Sequence, residues 1–463
     1  MAIHAPALEC TEYRVVLIHP VSRTLLAVDG AGKQRLPRIS VPANTRVVPC
    51  LHNVMVTGWG IHGLVLDFLS LEEGSSPCAV VELISENAPG AFSTASVEQI
   101  SESDLSERER TLLYALLRGE TESPFSRLGW IAAAIHWVEQ ATDATITSMR
   151  GIEQFNAGGA FALLRFPMRN GRSYWLKATG EPNAHELPVT LYLSRLCPDH
   201  VPEILDVRPA WNAWIMPDKR TTDPMLTADP AQRLALLECA VTAMAELQVR
   251  TIGCDTELLA AGGFDQRVGI LRADSELLFE RIREAMSLQT STKAPRIEGE
   301  RLRQLHETFD ATCDFVEELA IPAMVLHGDM NAGNVLYDDG RCQFIDWSEA
   351  YIGYPLVTLQ HLLLLNQPAD VQLKTRWDRT LIDRYRAVMS EACGQDAMDQ
   401  GIACMPMIAA ASAMYGRGEW LRSSIANNSH RQVYVRTLAR HMDQAARDTA
   451  LVKLVLESGA CAG

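Results

Sequence analysis

The chain has 463 residues, enough for two or three domains at about 150 residues each. With 47% apolar and 21% charged residues it has the make-up of a folded globular protein, not a disordered or fibrous one. Its 42 basic and 57 acidic residues give a net charge of −15. That balance, without a basic cluster, excludes the electrostatic footprint of a nucleic-acid binder and is compatible with a cationic substrate. Eleven cysteines, none spaced C-x-x-C, read as reduced thiols of a cytoplasmic protein. Met1 to Tyr13 lacks the basic-then-apolar order of a secretory signal, and the mostly apolar stretch Ile402 to Tyr415 contains Pro406 and is too short to span a bilayer. No membrane partner is expected.

In chain order, Tyr13 to Ile18 and Thr24 to Asp29 are apolar runs about a Pro20/Ser22 turn, the form of a hairpin. Residues 63–69 and 78–84 carry more strand signal, and 46–57 a helix that Pro49 interrupts early. Residues 1–104 therefore predict a small α+β domain. Ser106 and Glu109 form a capping box ahead of Leu112, Leu113, Leu116 and Leu117, with Gly119 as the stop, and Pro124 opens a second amphipathic helix over 125–140. Residues 105–128 read as a helical connector.

Within residues 129–218, strand-like runs at 146–155, 161–167 and 173–178 are joined by Asn156-Ala157-Gly158-Gly159 and by Asn170-Gly171, which predicts a three-stranded antiparallel meander. A helix over 184–196 and strands at 201–205 and 211–216 follow. Residues 219–463 are mostly helical, starting at Asp229-Pro230, an N-cap with proline at the first helical position. One interruption, 324–346, holds the chemistry. Val335 to Tyr337 and Cys342 to Ile345 flank a turn at Asp338-Asp339-Gly340 and should pair as a hairpin. Centred on Gly340, that pairing brings Asn334 and Asp346 to one open end, with Asp329 on the loop before it. Three oxygen-bearing side chains then converge, as a magnesium site with an adjacent base requires.

His327-Gly328-Asp329, then Asn334, then Ile345-Asp346-Trp347 resembles the catalytic signature of the kinase-like phosphotransferases, of the aminoglycoside phosphotransferase and choline kinase type. The fold class implied is α+β: a protein kinase-like bilobal fold, with an antiparallel-sheet N-lobe and a mostly helical C-lobe, preceded by the small α+β domain. The activity implied is ATP- and Mg2+-dependent transfer of the γ-phosphate to a hydroxyl of a small molecule. By this resemblance Asp329 takes the hydroxyl proton, Asn334 and Asp346 hold magnesium, and His327 braces the loop. Lys177, ending the third strand-like run, would grip the α and β phosphates, with Glu186 or Glu181 as its partner. The turn Asn156 to Phe161, with Gly158 and Gly159, would cover the phosphates, and Met216 would offer backbone groups to adenine.

Gly328 stands where protein kinases carry arginine, and only eight residues separate Asp346 from Pro355, too few for an activation loop. A small-molecule acceptor therefore fits better than a protein, and the resemblance together with the net charge points to one bearing an amine. An acid common in the family soon after Pro355 is absent, with Thr358 near its place. The alternative is a nucleotide-binding pseudokinase whose N-terminal domain docks a protein partner or a second copy. That domain resembles the Nudix fold. Aligning Gly58 with the glycine of the Nudix metal-binding helix, however, puts Leu51, His52, Met55 and Val56 where the arginine and glutamates belong, which implies a domain without hydrolytic chemistry.

Overall fold

The structure is a computed structural model that describes residues 10–30, 33–69, 76–84, 90–121, 123–158, 161–219, 229–338 and 340–461. The chain divides into two units, residues 1–187 with 203–218, and residues 188–202 with 219–463.

The first unit begins with β1 (Cys10–Ile18), β2 (Leu25–Asp29), β3 (Gln34–Arg35) and β4 (Arg38–Pro42). Helix α1 (Val47–Trp59) follows, then β5 (Gly63–Leu69), β6 (Cys78–Leu83) and β7 (Ser93–Ala95). These strands form one sheet in the order β3-β2-β1-β6-β5, with β4 also on β1 and β7 on β2. Pro49 does not interrupt α1, because it lies in the first turn, where the missing N–H has no intrahelical partner to lose. The strands β1 and β6 run parallel, and where they pair, from Arg14 to Ile18 and along β6, they are buried without alternation, since both faces are covered. On one face Val15 and Leu17 meet Leu51 and Met55 of α1. On the other, Val16 and Ile18 share a core with Leu113 and Leu116 of α2 (Glu107–Arg118) and with Trp130, Ile131 and Val138 of α3 (Trp130–Thr142). The capping box of α2 is present, but its buried face is narrower than expected, Leu112 being exposed. Pro124 opens only a single 3-10 turn, and Gly129, with φ +79°, separates it from α3.

The same core continues into a second sheet, through Leu164, Phe166, Leu176 and Ile215, so one body of apolar contact crosses residue 104. This sheet contains β8 (Glu153–Asn156), β9 (Phe161–Pro167), β10 (Ser173–Thr179), β11 (Asp206–Arg208) and β12 (Ala213–Pro217), all antiparallel, in the order β11-β12-β10-β9-β8. The first run of the meander is shorter than the sequence predicts. Ser148 caps a 3-10 turn at Met149–Gly151, leaving only an isolated bridge from Ile146 to Met168. Residues 201–205 are likewise not a strand, and β12 begins at Ala213 because Pro209–Trp211 forms a turn that Asn212 closes in the left-handed region. Helix α4 (Glu186–Leu196) then leads out of the unit.

The second unit is mostly helical. Helices α5 (Pro230–Arg250) and α6 (Asp255–Ala260) precede β13 (Phe264–Gln266). Next come α7 (Val268–Ala273), α8 (Ser275–Ser287), α9 (Gly299–Glu318) and β14 (Met324–His327). The hairpin β15 (Val335–Asp338) and β16 (Arg341–Phe344) follows, then β17 (Ala350–Gly353) and α10 (Leu356–Leu365). The chain closes with α11 (Val371–Cys393), α12 (Gln395–Tyr415), α13 (Ser429–Ala445) and α14 (Thr449–Cys461). Asp229 caps α5 through Ala231 N–H, 3.0 Å, as its sequence predicts. The predicted helical stretch 273–320 is broken between α8 and α9. Strand β17 lies between β13 and β14 in a small sheet. Among the described residues no helix is long and apolar enough to cross a membrane.

Where the first unit's core crosses residue 104, buried charges are fully paired. Arg14 donates to both Glu109 oxygens, at 2.7 and 3.0 Å, and Glu109 also caps α2 by accepting from Ser106 N–H. The side chain of Asp104, fully buried, accepts from Arg35, Arg38 and the Leu36 N–H. Burial alone would raise its pKa, but these donors outweigh that and hold the carboxyl at about 2. A depressed folded-state pKa contributes stability above the unfolded value of about 4 and loses it as pH falls towards the folded one. Asp104→Asn should therefore cost on the order of 1–2 kcal/mol at pH 7, discounted for solvent around the arginines. The gap to wild type should narrow between about pH 4 and pH 2. Urea unfolding across that range checks this, and a pH-independent gap would contradict it.

Candidate active site

The second unit assembles its chemistry on the loop between β14 and β15. His327 ends β14 and is fully buried; its Nε2 lies 2.9 Å from the Ile345 carbonyl. A carbonyl only accepts, so Nε2 carries the proton, and the ring ties the loop to the residue before Asp346. Packing against the Trp347 ring at 4.8 Å fixes its plane. The carboxylate of Asp329 is held at both oxygens, Oδ1 by Asn331 Nδ2 at 2.8 Å and Oδ2 by Asn334 Nδ2 at 3.1 Å. Asn334 Nδ2 also donates to the Asp329 carbonyl at 2.9 Å. With its NH2 group committed on that side, the amide oxygen of Asn334 is turned the other way, as a cation ligand must be.

The hairpin register differs by one residue from the sequence expectation. Val335 faces Phe344 and Asp338 faces Arg341, so the turn is the two residues between them and its centre is not Gly340. Asp-Gly in a two-residue loop is the form that matches strand twist; Asp339 itself lies outside the described residues. Asn334 consequently sits opposite Ile345, accepting from Ile345 N–H at 3.1 Å, and not opposite Asp346. Asp346 leaves the strand in the left-handed region, φ +66°, which turns the chain at once into the 3-10 turn Trp347–Glu349. Its Oδ1 accepts from Ser348 Oγ at 3.0 Å.

Four residues support the loop in ways the sequence did not reveal, Thr358 having been noted there only for its place. Thr358, fully buried on α10, accepts from the His327 N–H at 3.1 Å through Oγ1, so a hydroxyl serves where an acid was expected. Asn366, just past α10 and 3% exposed, accepts from Ala332 N–H at 2.8 Å and donates to the Met330 carbonyl at 3.0 Å. Asn331 also closes the loop through Gly333 N–H, at 2.8 Å. The fourth is Glu349, whose carbonyl accepts from Gly328 N–H at 2.8 Å. A Cβ at Gly328 would stand 2.5 Å from the Tyr351 ring and 2.8 Å from a Glu349 carboxylate oxygen, so the arginine of protein kinases has no room here. Crowding by the surrounding protein raises the Glu349 pKa, as do Asp329 and Asp346, while Arg417 opposes them. Glu349, though itself exposed, thus feels the charge of both aspartates.

In the first unit, Lys177 ends up 6% exposed on β10 and pairs with Glu186 Oε1 at 2.5 Å. Its ammonium also lies 5.3 Å from the Phe161 ring centre and 5.8 Å from that of Trp214. Glu186, not Glu181, is thus the partner. It opens α4, and Pro188 falls in the first turn of that helix, where proline is tolerated. Asn156 Oδ1 accepts from Ala157 N–H at 2.9 Å. Ala157 packs against the core beneath α1, and Gly158, φ +123°, lies beside Asp67, so the turn is anchored to the N-terminal sheet. Gly159 lies outside the described residues. Met216, half-buried on β12, pairs with Trp175.

Magnesium shared with nucleotide phosphates asks for one or two hard oxygens from the protein and keeps several waters. An Asn334 amide oxygen and an Asp346 carboxylate are such a donor set. Among the described residues no group of three or more His, Cys, Asp or Glu side chains forms a closed metal cage.

Asn366→Ala would leave the Ala332 N–H and the Met330 carbonyl unpaired in a dry setting, with an expected loss of about 2 kcal/mol in urea unfolding. A loss under about 0.5 kcal/mol would contradict the clamp.

The model of the phosphotransferase enzyme family matches residues 186–394. A choline/ethanolamine kinase family protein from Mesorhizobium loti is 14% identical over 70% of this chain and 98% of its own, with a TM-score of 0.45. An ethanolamine kinase of Plasmodium vivax is 12% identical over 76% and 97%, with 0.44, and a macrolide 2'-phosphotransferase from Brachybacterium faecium 13% over 66% and 97%, with 0.41. No curated protein matches the sequence. The match takes in His327, Asp329, Asn334 and Asp346, so the residues that carry the resemblance all lie in the segment similar to that family.

Proposed function

We propose that the protein transfers the γ-phosphate of ATP, with magnesium, to a hydroxyl of a small molecule that carries an amine. The observation that carries this reading is the Asp329 carboxylate, fixed by the amides of Asn331 and Asn334 at 2.8 and 3.1 Å. Held this way it is a positioned base, and a base loses little by rigidity when the transition state is loose and catalysis is mostly positioning and charge neutralisation. Asp329 orients the acceptor hydroxyl and takes its proton. Asn334 and Asp346 would hold magnesium, which supplies positive charge to the phosphate oxygens as charge builds on them. Lys177, kept extended by Glu186, adds a fixed cation for the phosphates. An amine on the acceptor is favoured by Glu349, a carboxylate beyond those the transfer uses, whose crowding beside Asp329 and Asp346 a cation relieves.

Asp329→Ala should bind magnesium-nucleotide like wild type and lose turnover by about 10²-fold or more, whereas Asp346→Ala should lose the magnesium-dependent binding. Nucleotide titration with and without magnesium, and ADP release across a panel of hydroxyl acceptors, measure both. Equal turnover by Asp329→Ala and wild type would end the mechanism. A thermal shift with magnesium-nucleotide but no acceptor-dependent ADP release would favour the pseudokinase.

Glu349→Gln should raise KM about tenfold for amine-bearing acceptors and leave it unchanged for amine-free ones. Equal effects on both would remove the basis for the amine.

A further inference from the structure

A second chemistry lies at the other end of the catalytic hairpin. Cys239 on α5 and Cys342 on β16 are 103 residues apart in sequence, yet their sulfurs are 2.7 Å apart, closer than unbonded sulfurs ordinarily approach and little more than a bond length of about 2.05 Å. Neither is bonded to another cysteine. They border a cleft of about 600 Å³, lined also by Asp199, His200, Glu246 and Arg341, which gives a small solute access to the pair. Cys342 is buried and its S–H points at Cys239, which is half-buried on the cleft side.

We propose that Cys239 and Cys342 are a modification site, a dithiol that hydrogen peroxide converts to a disulfide, tying α5 to the hairpin that carries Asn334 and leads into Asp346. In the first step the Cys239 thiolate sulfur attacks one peroxide oxygen and the O–O bond breaks. This leaves a sulfenic acid on Cys239 and a hydroxide that takes a proton to become water. In the second step the Cys342 sulfur attacks the Cys239 sulfur, the S–O bond breaks, and the hydroxide leaves with the Cys342 proton as water. The two sulfurs give up two electrons, and one peroxide becomes two waters.

The environment of each thiol suits its part. The hydrogen bond from Cys342 lowers the pKa of Cys239, the attacking thiol, and raises that of Cys342, which burial raises further. Elsewhere burial pushes Cys78 and Cys404 up to about 12 and Cys197 to about 11, so those thiols stay protonated and inert. The pair is also placed for effect. Cys342 lies opposite Tyr337 in the hairpin, and its neighbours in sequence are already held. Gln343 accepts from Lys219 Nζ at 2.7 Å, and Phe344 N–H donates to the His200 carbonyl at 2.8 Å. A covalent link there removes the motion these weaker contacts leave, and it closes a long loop of the unfolded chain.

The test uses the full-length, fully reduced protein, treated with a small excess of hydrogen peroxide. The remaining thiols are alkylated, and the digest is mapped without reduction. The expected product is a Cys239–Cys342 peptide lighter by two hydrogens, undone by dithiothreitol. Oxidation should also raise Tm by about 5 °C. Cys239→Ser and Cys342→Ala, each compared with itself before and after peroxide so that its own stability cancels, should show no rise. Alkylation of both cysteines as free thiols, under conditions that have already oxidised the exposed Cys10, would overturn the proposal. So would pairing of either with another cysteine, or a Tm rise that survives in the variants. No nucleotide enters these measurements, so they stand or fall separately from the assigned activity.

Discussion

The loop from His327 to Asn334 turns sharply inside protein, and buried backbone groups must find partners there. Two are met within the loop, Asn331 N–H donating to the Asp329 carbonyl at 2.8 Å and Asn334 N–H to the Asn331 carbonyl at 3.0 Å, and four more from outside it. Thr358 takes the amide of His327, the Glu349 carbonyl that of Gly328, and Asn366 both the amide of Ala332 and the carbonyl of Met330. Only when these are satisfied does the loop have a single conformation, and only then do Asn331 and Asn334 meet the two oxygens of Asp329. The Asp329 carboxylate is thus the last member of a chain of obligations that begins in α10. Neutral polar groups suit this work, because a buried amide or hydroxyl with its partners in place orients a neighbour without adding charge beside it.

The first unit solves a related problem with charge. Lys177 and Glu186 are both nearly removed from water, and such a pair adds little net stability because desolvation offsets much of its attraction. What it does fix is the direction of the ammonium, assisted by the aromatic faces of Phe161 and Trp214. Neither carboxylate nor lysine would keep its place without the other. The buried Arg14, Glu109 and Asp104, with the more exposed Arg35 and Arg38, follow the same rule at larger scale, every charge there having its counter-charge.

The residues proposed for the chemistry could be picked out because the proposed reaction constrains their types and spacing: an aspartate on a loop, then an amide and a second aspartate on either side of a tight turn. The hairpin's existence followed from the Asp-Gly dipeptide. Its register did not, since reading three residues instead of two into the turn moves Asp346 opposite Asn334, whereas the strand in fact faces Ile345 to it. Thr358 and Asn366 left only a faint mark, as polar residues in and just after Leu356–Leu365, a largely apolar run that also holds Gln360 and His361. That mark signals buried polar groups with partners, yet it cannot say which loop they hold. The shortened β8 and the late start of β12 have the same origin. Local caps at Ser148 and Asn212 compete with extended backbone and win.

The apolar body that crosses residue 104 carries a consequence for how such a chain could have arisen. Leu164, Phe166 and Leu176 of the five-stranded sheet share their cover with Val16, Ile18 and the two intervening helices. Once the smaller sheet had come to rely on that covering, the upstream segment ceased to be a passenger. A gene break between them would expose greasy side chains on both products, so selection for solubility alone suffices to keep the two coding segments fused.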